Sequence, residues 1–415
     1  ELAAIDLDAL STSERKTFFR DFIEKEYFHS ESCYFEHIFH TSIAMSLFKD
    51  FYRKTKSPVI FIDLVSGLQN VSHLKLNKTI WDLSRDLRED TESRAYWVKN
   101  SVETLLSHWK QSRTDYGIDH AADLIRDFKY HSMRELDIRV PRFGEDPRFL
   151  LKSIKENIEL SDQFNPHNLN DEQHDQYQSS VQLFYEHLPV FYRAKGKRLL
   201  ARLRHILWWR EELRDLSTQY YYHVRRITLS LSEYLIKQQI ISTPDDMFFL
   251  TKDDLIGVIN KKLSSSDARM RMSTNKTYYM SFRNFENPNE IGCRFTEMAR
   301  TKASDTHAIT GIACSPGIVE GRARVISDIY DADRLEEGDI LITRYTDPGW
   351  TPKFSLITAV ATETGGVLSH AAVIAREYGI PAVLAVQNLT SMITDGDFIR
   401  IDGAAGSIEL IGKGN

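Results

Sequence analysis

The pattern of apolar residues changes near residue 305. On its N-terminal side glycine is scarce, and apolar residues recur three and four positions apart among charged ones, for example over residues 11–27 and 79–90. This is the spacing of one face of an α-helix. After Ile309, short β-branched runs alternate with Gly, Asp and Pro turns, as strands and their connections do. The chain is therefore predicted to be multidomain, with a mostly α-helical domain over residues 1–302 and a compact α/β domain over residues 310–415.

A flexible linker is expected over residues 303–309, because Ala303, Ser304 and Asp305 are small or polar and lie between two folding patterns. Helices are predicted over residues 11–27, 36–52, 79–90, 96–109, 119–128, 171–187 and 266–285, with one or two more over 194–239. Strands are predicted over residues 321–327, 339–343, 359–361, 382–385, 398–401 and 407–410.

The net charge, the apolar runs and the cysteine content limit the partners and the compartment that are predicted for this chain. The 415 residues carry a net charge of −6, which predicts no general basic face for nucleic acid. No apolar run reaches the roughly 18 residues that a membrane span needs, so no membrane partner is predicted. The three cysteines, Cys33, Cys293 and Cys314, are far apart, and the N-terminus lacks the pattern of a signal peptide. These features predict a cytoplasmic protein.

One histidine, His370, lies between a glycine pair and a helix of small residues. Gly365 and Gly366 allow backbone N–H groups to approach an anion closely, and the helix predicted to start near Ser369 directs its free N–H groups to the same point. The positive helix end disfavours imidazolium, which keeps the ring neutral and nucleophilic. His370 is therefore the candidate covalent phosphoryl carrier, with Gly365, Gly366 and Ser369 stabilising the bound phosphoryl group.

The helix after His370 has a predicted start and stop. Gly379 suits a helix C-cap, and Pro381 directs the chain into the strand that follows. Arg376 lies six residues beyond His370, more than a turn and a half away, so a structural ion pair is expected for it rather than a phosphate contact.

Residues 362–381 resemble the phosphohistidine swivel domain of the PEP-utilising dikinase family, which includes phosphoenolpyruvate synthase, pyruvate phosphate dikinase and rifampin phosphotransferase. The stretches that carry this resemblance are Thr362-Glu363, Gly365-Gly366, Ser369-His370-Ala371-Ala372, Ala375-Arg376-Glu377, Gly379-Ile380-Pro381-Ala382-Val383, Ser315-Pro316-Gly317, Glu320-Gly321-Arg322-Ala323-Arg324-Val325 and Asp402-Gly403. The resemblance implies a β/β/α swivel fold and a phosphohistidine at His370.

Dikinases often have a regulatory threonine two residues before this histidine. Leu368 stands there in this chain, so that regulation is not expected.

The helical region resembles the substrate-binding domain of the same family. Residues 130–137 and 141–147 are similar to the family's His-Arg-Gly-Pro…Glu-Leu-Asp segment, although the glycines are missing, and residues 209–212 and 244–250 are similar to other parts of it. This similarity makes Arg134, Glu135, Asp137 and Arg142 candidate acceptor-binding residues, since arginines could hold the acceptor and the transferred phosphate. The alternative is a salt-bridge network that fixes a turn.

Cys33, His37 and His40 also have the spacing of metal ligands, at i, i+4 and i+7 on a predicted helix. No fourth ligand is evident from spacing, and large apolar residues surround the three. They are interpreted as core or pocket-lining residues, and no metal site is predicted.

The resemblance implies a role in a larger reaction. Family members take a phosphoryl group from ATP on a separate ATP-grasp domain, and neither that domain nor a pyruvate-binding barrel is recognisable here. The chain is therefore expected to be a fragment or a split subunit. It would need an ATP-grasp domain in cis or in trans, ATP and Mg²⁺ bound on that domain, and a small-molecule acceptor, and it is expected to bind no cofactor itself. Two alternatives stay open: part of a synthase-like ligase that activates a carboxylate, or a binding or regulatory module in which His370 is unused.

Overall fold

The computed structural model describes residues 5–282, 285 and 309–414. Its N-terminal part is helical, as predicted. The helices are α1 (Thr12–Asp21), α2 (Phe28–Thr55), α3 (Ser72–Glu89), α4 (Thr91–Lys99), α5 (Val102–Lys110), α6 (Ile118–Asp127), α7 (Arg148–Ile158), α8 (Pro166–His187), α9 (Val190–Leu229), α10 (Ser232–Lys237), α11 (Lys252–Ile259) and α12 (Ser265–Ser281). The predicted linker, apart from Ile309, lies outside the described residues.

Side-chain caps explain where several helices begin. Ser11 forms a capping box with Glu14 at the start of α1. The prediction of one helix over residues 96–109 is wrong, because the chain leaves helical geometry at Asn100 and Ser101. The Ser101 hydroxyl accepts the backbone N–H of Thr104 at 3.1 Å and so starts α5 as a separate helix.

The C-terminal part is a mixed sheet with short helices, which confirms the predicted α/β class. Its strands are β1 (Ile309–Thr310), β2 (Ile312–Ser315), β3 (Ile318–Val325), β4 (Asp339–Thr343), β5 (Ile357–Thr362), β6 (Ala382–Leu384), β7 (Phe398–Asp402) and β8 (Ser407–Gly412), with helices α13 (His370–Glu377) and α14 (Leu389–Met392). The strand order is β1-β8-β7-β3-β4-β5-β6-β2. The pairs β3–β4, β4–β5 and β5–β6 are parallel, and the others are antiparallel.

Contacts divide the described residues into two compact units, each drawn from separate stretches of sequence. The first is drawn from Glu1–Glu36, Glu135–Pro141 and Leu216–Gly292, and the second from His37–Arg134, Arg142–Asp215 and Cys293–Asn415. The first unit has its own apolar core, which includes Phe22, Ile227 and Met247.

In the second unit, the α/β domain and helices α3, α8 and α9 share one apolar core. Leu74, Phe184 and Leu200 from these helices pack in the same cluster as Ala372 and Ile374 of α13. Every residue of α13 after His370 is buried. The helix that begins at His370 therefore belongs to the interior that joins the α/β domain to the helices.

Candidate active site

His370 lies at the carboxyl edge of the parallel strands β4 and β5. Because these strands are neighbours and run in the same direction, their C-terminal ends, Thr343 and Thr362, are paired at one edge of the sheet. The segment after β5 leads to Ser369, the N-cap residue, and to His370, the first residue of α13. The predicted helix start is thereby confirmed.

Gly365 shapes the turn before the helix. Its φ of +118° is a conformation that residues with a side chain rarely adopt, and a Cβ atom there would lie 2.9 Å from the Ser369 Oγ atom. Gly366 has no such restriction, since an added Cβ would meet no atom within 4 Å. The two glycines of the predicted pair therefore differ: only Gly365 is required by the backbone.

Two threonines hold the His370 ring. The Thr346 hydroxyl lies 3.1 Å from Nδ1, and the Thr351 hydroxyl lies 3.1 Å from Nε2. Both come from the connection between β4 and β5, and Thr351 belongs to the 3₁₀ turn Pro348–Ser355. The Phe354 ring stands edge-on to the imidazole, with centroids 6.0 Å apart. The half-buried imidazole is thus fixed in its plane, with a hydroxyl at each nitrogen.

The start of α13 offers unsatisfied polar groups beside this ring. The first N–H groups of a helix have no partner within it, and Ser369 makes no side-chain capping bond. Within the described part of the chain, the buried Ser369 hydroxyl oxygen has no hydrogen-bond partner. A hydroxyl and helix N–H groups at one point form a suitable place for phosphoryl oxygens.

Arg210 and Glu211 of α9 approach the same site. The Arg210 guanidinium donates a hydrogen bond to the backbone carbonyl of Leu368, two residues before His370, and another to Glu211 Oε1 at 2.9 Å. Glu211 Oε2 also lies 3.3 Å from His73 Nδ1. Burial alone would raise the pKa of Glu211, but Arg210, His73 and His370 bring it down to about 2. A carboxylate and a guanidinium therefore lie near His370.

The sequence alone does not predict a role in this site for the flanking residues Thr346, Thr351, Arg210 and Glu211. Thr346 and Thr351 follow the predicted strand 339–343, and polar residues at the carboxyl end of a parallel strand are a usable signal of a site. Arg210 and Glu211 lie in a stretch that resembles the family's helical domain, but nothing local to them indicates contact with residues near 370.

The four predicted acceptor-binding residues fall in different units. Arg134 and Arg142 belong to the unit that carries His370, whereas Glu135 and Asp137 belong to the other. Arg134 donates to Asp328 at 2.6 Å, and the fully buried Arg142 donates to the Ser132 hydroxyl at 2.9 Å.

In the first unit, Glu135 accepts the Thr218 hydroxyl at 2.9 Å, and Asp137 accepts the backbone N–H of Arg139 at 2.9 Å. All four predicted residues therefore have protein partners. Their role as acceptor ligands stays a prediction.

Arg376 has the structural role expected of it, but through different partners. Its buried guanidinium donates to the Val367 carbonyl at 2.7 Å, and no carboxylate of the described residues lies within ion-pair distance. Arg376 therefore braces the turn three residues before His370. The expected ion pair is replaced by hydrogen bonds to backbone carbonyls.

The metal alternative finds no support at Cys33, His37 and His40. His37 Nε2 lies 2.9 Å from the Ile206 carbonyl, which can only accept, so this nitrogen carries the proton. Across the residues that the structure describes, no group of three or more His, Cys, Asp or Glu side chains is placed to hold a metal ion. Among the helices of the described residues, none has an apolar stretch of the length that a bilayer crossing requires.

Comparison with known proteins places this geometry in a family. Residues 29–211 match the model of the rifampicin phosphotransferase fourth domain, and residues 335–406 match that of the PEP-utilising enzyme mobile domain. The chain is 36% identical over 231 residues to rifampicin phosphotransferase of Bacillus cereus, covering 54% of this chain and 26% of that protein. It is 33% identical over 300 residues to rifampicin phosphotransferase of Bacillus subtilis, covering 70% of this chain and 34% of that protein.

A phosphoenolpyruvate synthase of Aeropyrum pernix is 35% identical over 129 residues, which cover 29% of this chain and 16% of that protein. The chain belongs to the PEP-utilising dikinase family that includes rifampicin phosphotransferase and phosphoenolpyruvate synthase. It spans between about a quarter and a third of the length of the two rifampicin phosphotransferases.

Proposed function

We propose that this chain is the phosphohistidine-carrier and acceptor-binding portion of an ATP-dependent phosphotransferase of the dikinase type. The observation that carries the proposal is the placement of His370 at the N-terminus of α13, between two threonine hydroxyls and near the partly buried Arg210. This arrangement offers a nucleophile together with hydrogen-bond donors for a phosphoryl group.

In the first half-reaction, a ring nitrogen of His370 attacks the β-phosphorus of ATP held with Mg²⁺ on an ATP-grasp domain, in cis or in trans. The bond from that phosphorus to the oxygen bridging to the α-phosphate breaks, and AMP leaves. Water then releases the γ-phosphoryl group as inorganic phosphate. A phosphoryl group stays on His370, and Mg²⁺ neutralises the charge that develops on the transferring group.

In the second half-reaction, an oxygen of a small-molecule acceptor attacks the phosphorus. The P–N bond breaks, its electron pair returns to the ring nitrogen, and the acceptor proton passes to solvent. Arg210 donates to the carbonyl of Leu368, two residues before His370, and an exchange of that carbonyl for a phosphoryl oxygen would stabilise the developing charge. Two half-reactions at separate sites require the carrier domain to move between them.

The proposal is tested by intact-mass measurement of the chain after incubation with ATP, Mg²⁺ and an ATP-grasp domain from a relative. One phosphoryl group that is labile in acid and stable in base is expected, with AMP formed in equal amount. His370→Gln should abolish the adduct, and His187→Gln, a change of an exposed histidine at the end of α8, should leave it intact. A His370→Gln chain that is still labelled would refute the proposal.

A further inference from the structure

One buried side chain of α3 contacts both the helix that carries His370 and the turn that touches its ring. Asn77 is 4% exposed. Its Nδ2 atom donates to the backbone carbonyl of Thr351 at 2.7 Å and to the Tyr378 hydroxyl at 2.9 Å. Both acceptors belong to the α/β domain, whereas Asn77 belongs to the helical region, so one amide group connects the two.

One acceptor belongs to the turn that contacts the imidazole, and the other follows the helix that begins with His370. Thr351, which is 3% exposed, places its hydroxyl 3.1 Å from His370 Nε2. Tyr378, which is 1% exposed, directly follows the last residue of α13, the helix that begins with His370. Asn77 therefore ties the backbone of the Thr351 turn to the Tyr378 side chain at the end of α13, and so affects the distance between the Thr351 hydroxyl and the ring.

The position of the Thr351 hydroxyl affects the chemistry of the ring. A neutral imidazole has one N–H group and one lone pair, and the partner of each nitrogen selects the tautomer. Only the nitrogen with the lone pair can form a bond to phosphorus, and it regains that lone pair when the phosphoryl group leaves. Each nitrogen faces a hydroxyl, which can donate or accept, so the balance between the two tautomers depends on the geometry of each contact. A residue that fixes the Thr351 hydroxyl against Nε2 therefore affects that balance.

We infer that Asn77 is a positioning residue that sets the orientation and tautomer of His370 when the α/β domain is docked on α3. The inference rests on the proposed function, in which the carrier leaves α3 to collect a phosphoryl group. The bonds of Asn77 exist only in the docked arrangement, so Asn77 acts on delivery of the phosphoryl group and leaves its loading on the ATP-grasp domain unaffected.

The test uses Asn77→Ala, which removes both donors, and Asn77→Asp, which keeps the volume but faces the Thr351 carbonyl with an acceptor. Asn157→Ala is the matched control, because Asn157 is a buried amide of α7 that donates to the Ser153 carbonyl within its own helix, at 2.8 Å. Ring-nitrogen NMR of histidine-labelled chain, assigned with His370→Gln, reports the tautomer of His370 directly.

Both Asn77 variants should change the ratio of the two His370 tautomers by about twofold or more, since each loses hydrogen bonds that hold the Thr351 turn in place. With ATP and the ATP-grasp domain, His370 labelling should stay within about twofold of wild type. Discharge to rifampicin, used as the acceptor probe, should slow by about tenfold. The Asn157→Ala chain should match wild type in all three measurements.

Ring spectra of both Asn77 variants that coincide with wild type would overturn the inference, as would an equal loss of labelling and discharge. If Asn77→Ala does not fold, Asn77→Asp decides by the same criteria. A wild-type chain that never acquires a phosphoryl group would instead refute the proposed function, and the ring spectra would still decide the role of Asn77.

Discussion

The Glu377 carboxyl group accepts the backbone N–H of Leu68 at 2.8 Å, which joins the end of α13 to the segment before α3 inside the protein. Asn170 of α8 donates to the same oxygen at 3.3 Å. Burial raises the pKa of Glu377 to about 7, against the opposing effects of His73, Arg376 and Arg204. The contact between the α/β domain and the helices therefore includes a carboxyl group that titrates near neutral pH.

This pKa predicts how stability varies with pH. Below the usual glutamate pKa of 4.5, Glu377 is protonated in the folded and the unfolded chain alike. Between pH 4.5 and about 7, only the folded chain keeps the proton on Glu377. The contribution of Glu377 to the free energy of unfolding therefore falls as pH rises, by about 3 kcal/mol in total, and is lost above pH 7.

Denaturant unfolding at several pH values should show this slope in the wild type and a flatter one in Glu377→Gln, which can still accept the Leu68 N–H. Glu409→Gln, a change of an exposed residue on β8, should keep the wild-type slope. Equal slopes for wild type and Glu377→Gln would contradict the prediction.

Gly365→Ala should destabilise the α/β domain and weaken His370 labelling. Alanine is strained at a φ of +118°, and its Cβ would press on the Ser369 hydroxyl. A loss of about 1–3 kcal/mol in the free energy of unfolding is expected. Gly366→Ala is the matched control, since its Cβ meets open space. The prediction fails if the two variants unfold at the same denaturant concentration.

Arg210→Ala should slow discharge of phosphorylated His370 by about a hundredfold, the typical effect of removing one donor to a developing charge. Labelling by the ATP-grasp domain should persist, because Arg210 belongs to α9 and not to the carrier domain. Single-turnover measurement of each half-reaction separates the two effects. Arg94→Ala, which removes an exposed partner of Glu159, is the control. A discharge rate like that of the wild type would exclude Arg210 from the transfer step.

Arg134→Ala distinguishes acceptor binding from domain contact. Arg134 is about one-third exposed and pairs with Asp328 of the α/β domain at 2.6 Å, and such pairs contribute up to about 1 kcal/mol. We expect Arg134→Ala and Asp328→Asn each to slow discharge by no more than about fivefold, and to the same extent. A much larger loss in Arg134→Ala alone would identify Arg134 as an acceptor ligand.

Local patterns explain what could be predicted from the sequence. The predicted strand 339–343 coincides with β4, and the start of α13 and its exit at Gly379 follow from residues within a few positions of each other. β2 was missed, because its pairing with β6 depends on residues about 70 positions away.

The surroundings of His370 likewise depend on contacts between residues that are far apart in the sequence. Arg210 and Asn77 reach the site from 158 and 274 positions along the chain, measured to Leu368 and Thr351. Neither residue differs locally from an ordinary polar residue on a helix. Only the packing of α3 and α9 against the α/β domain gives them their roles.

The alanines of α13 bear on how reversible this packing can be. Ala371, Ala372 and Ala375 are buried in the core shared with the helices. Each of these alanines buries one methyl group. A leucine side chain buried at the same place would stabilise the contact by about 2 kcal/mol more. If the α/β domain moves away from the helices during the reaction, this apolar surface becomes exposed to water each time the two separate. Small side chains thus keep the energy of separation low enough for repeated turnover, at the expense of a weaker resting contact.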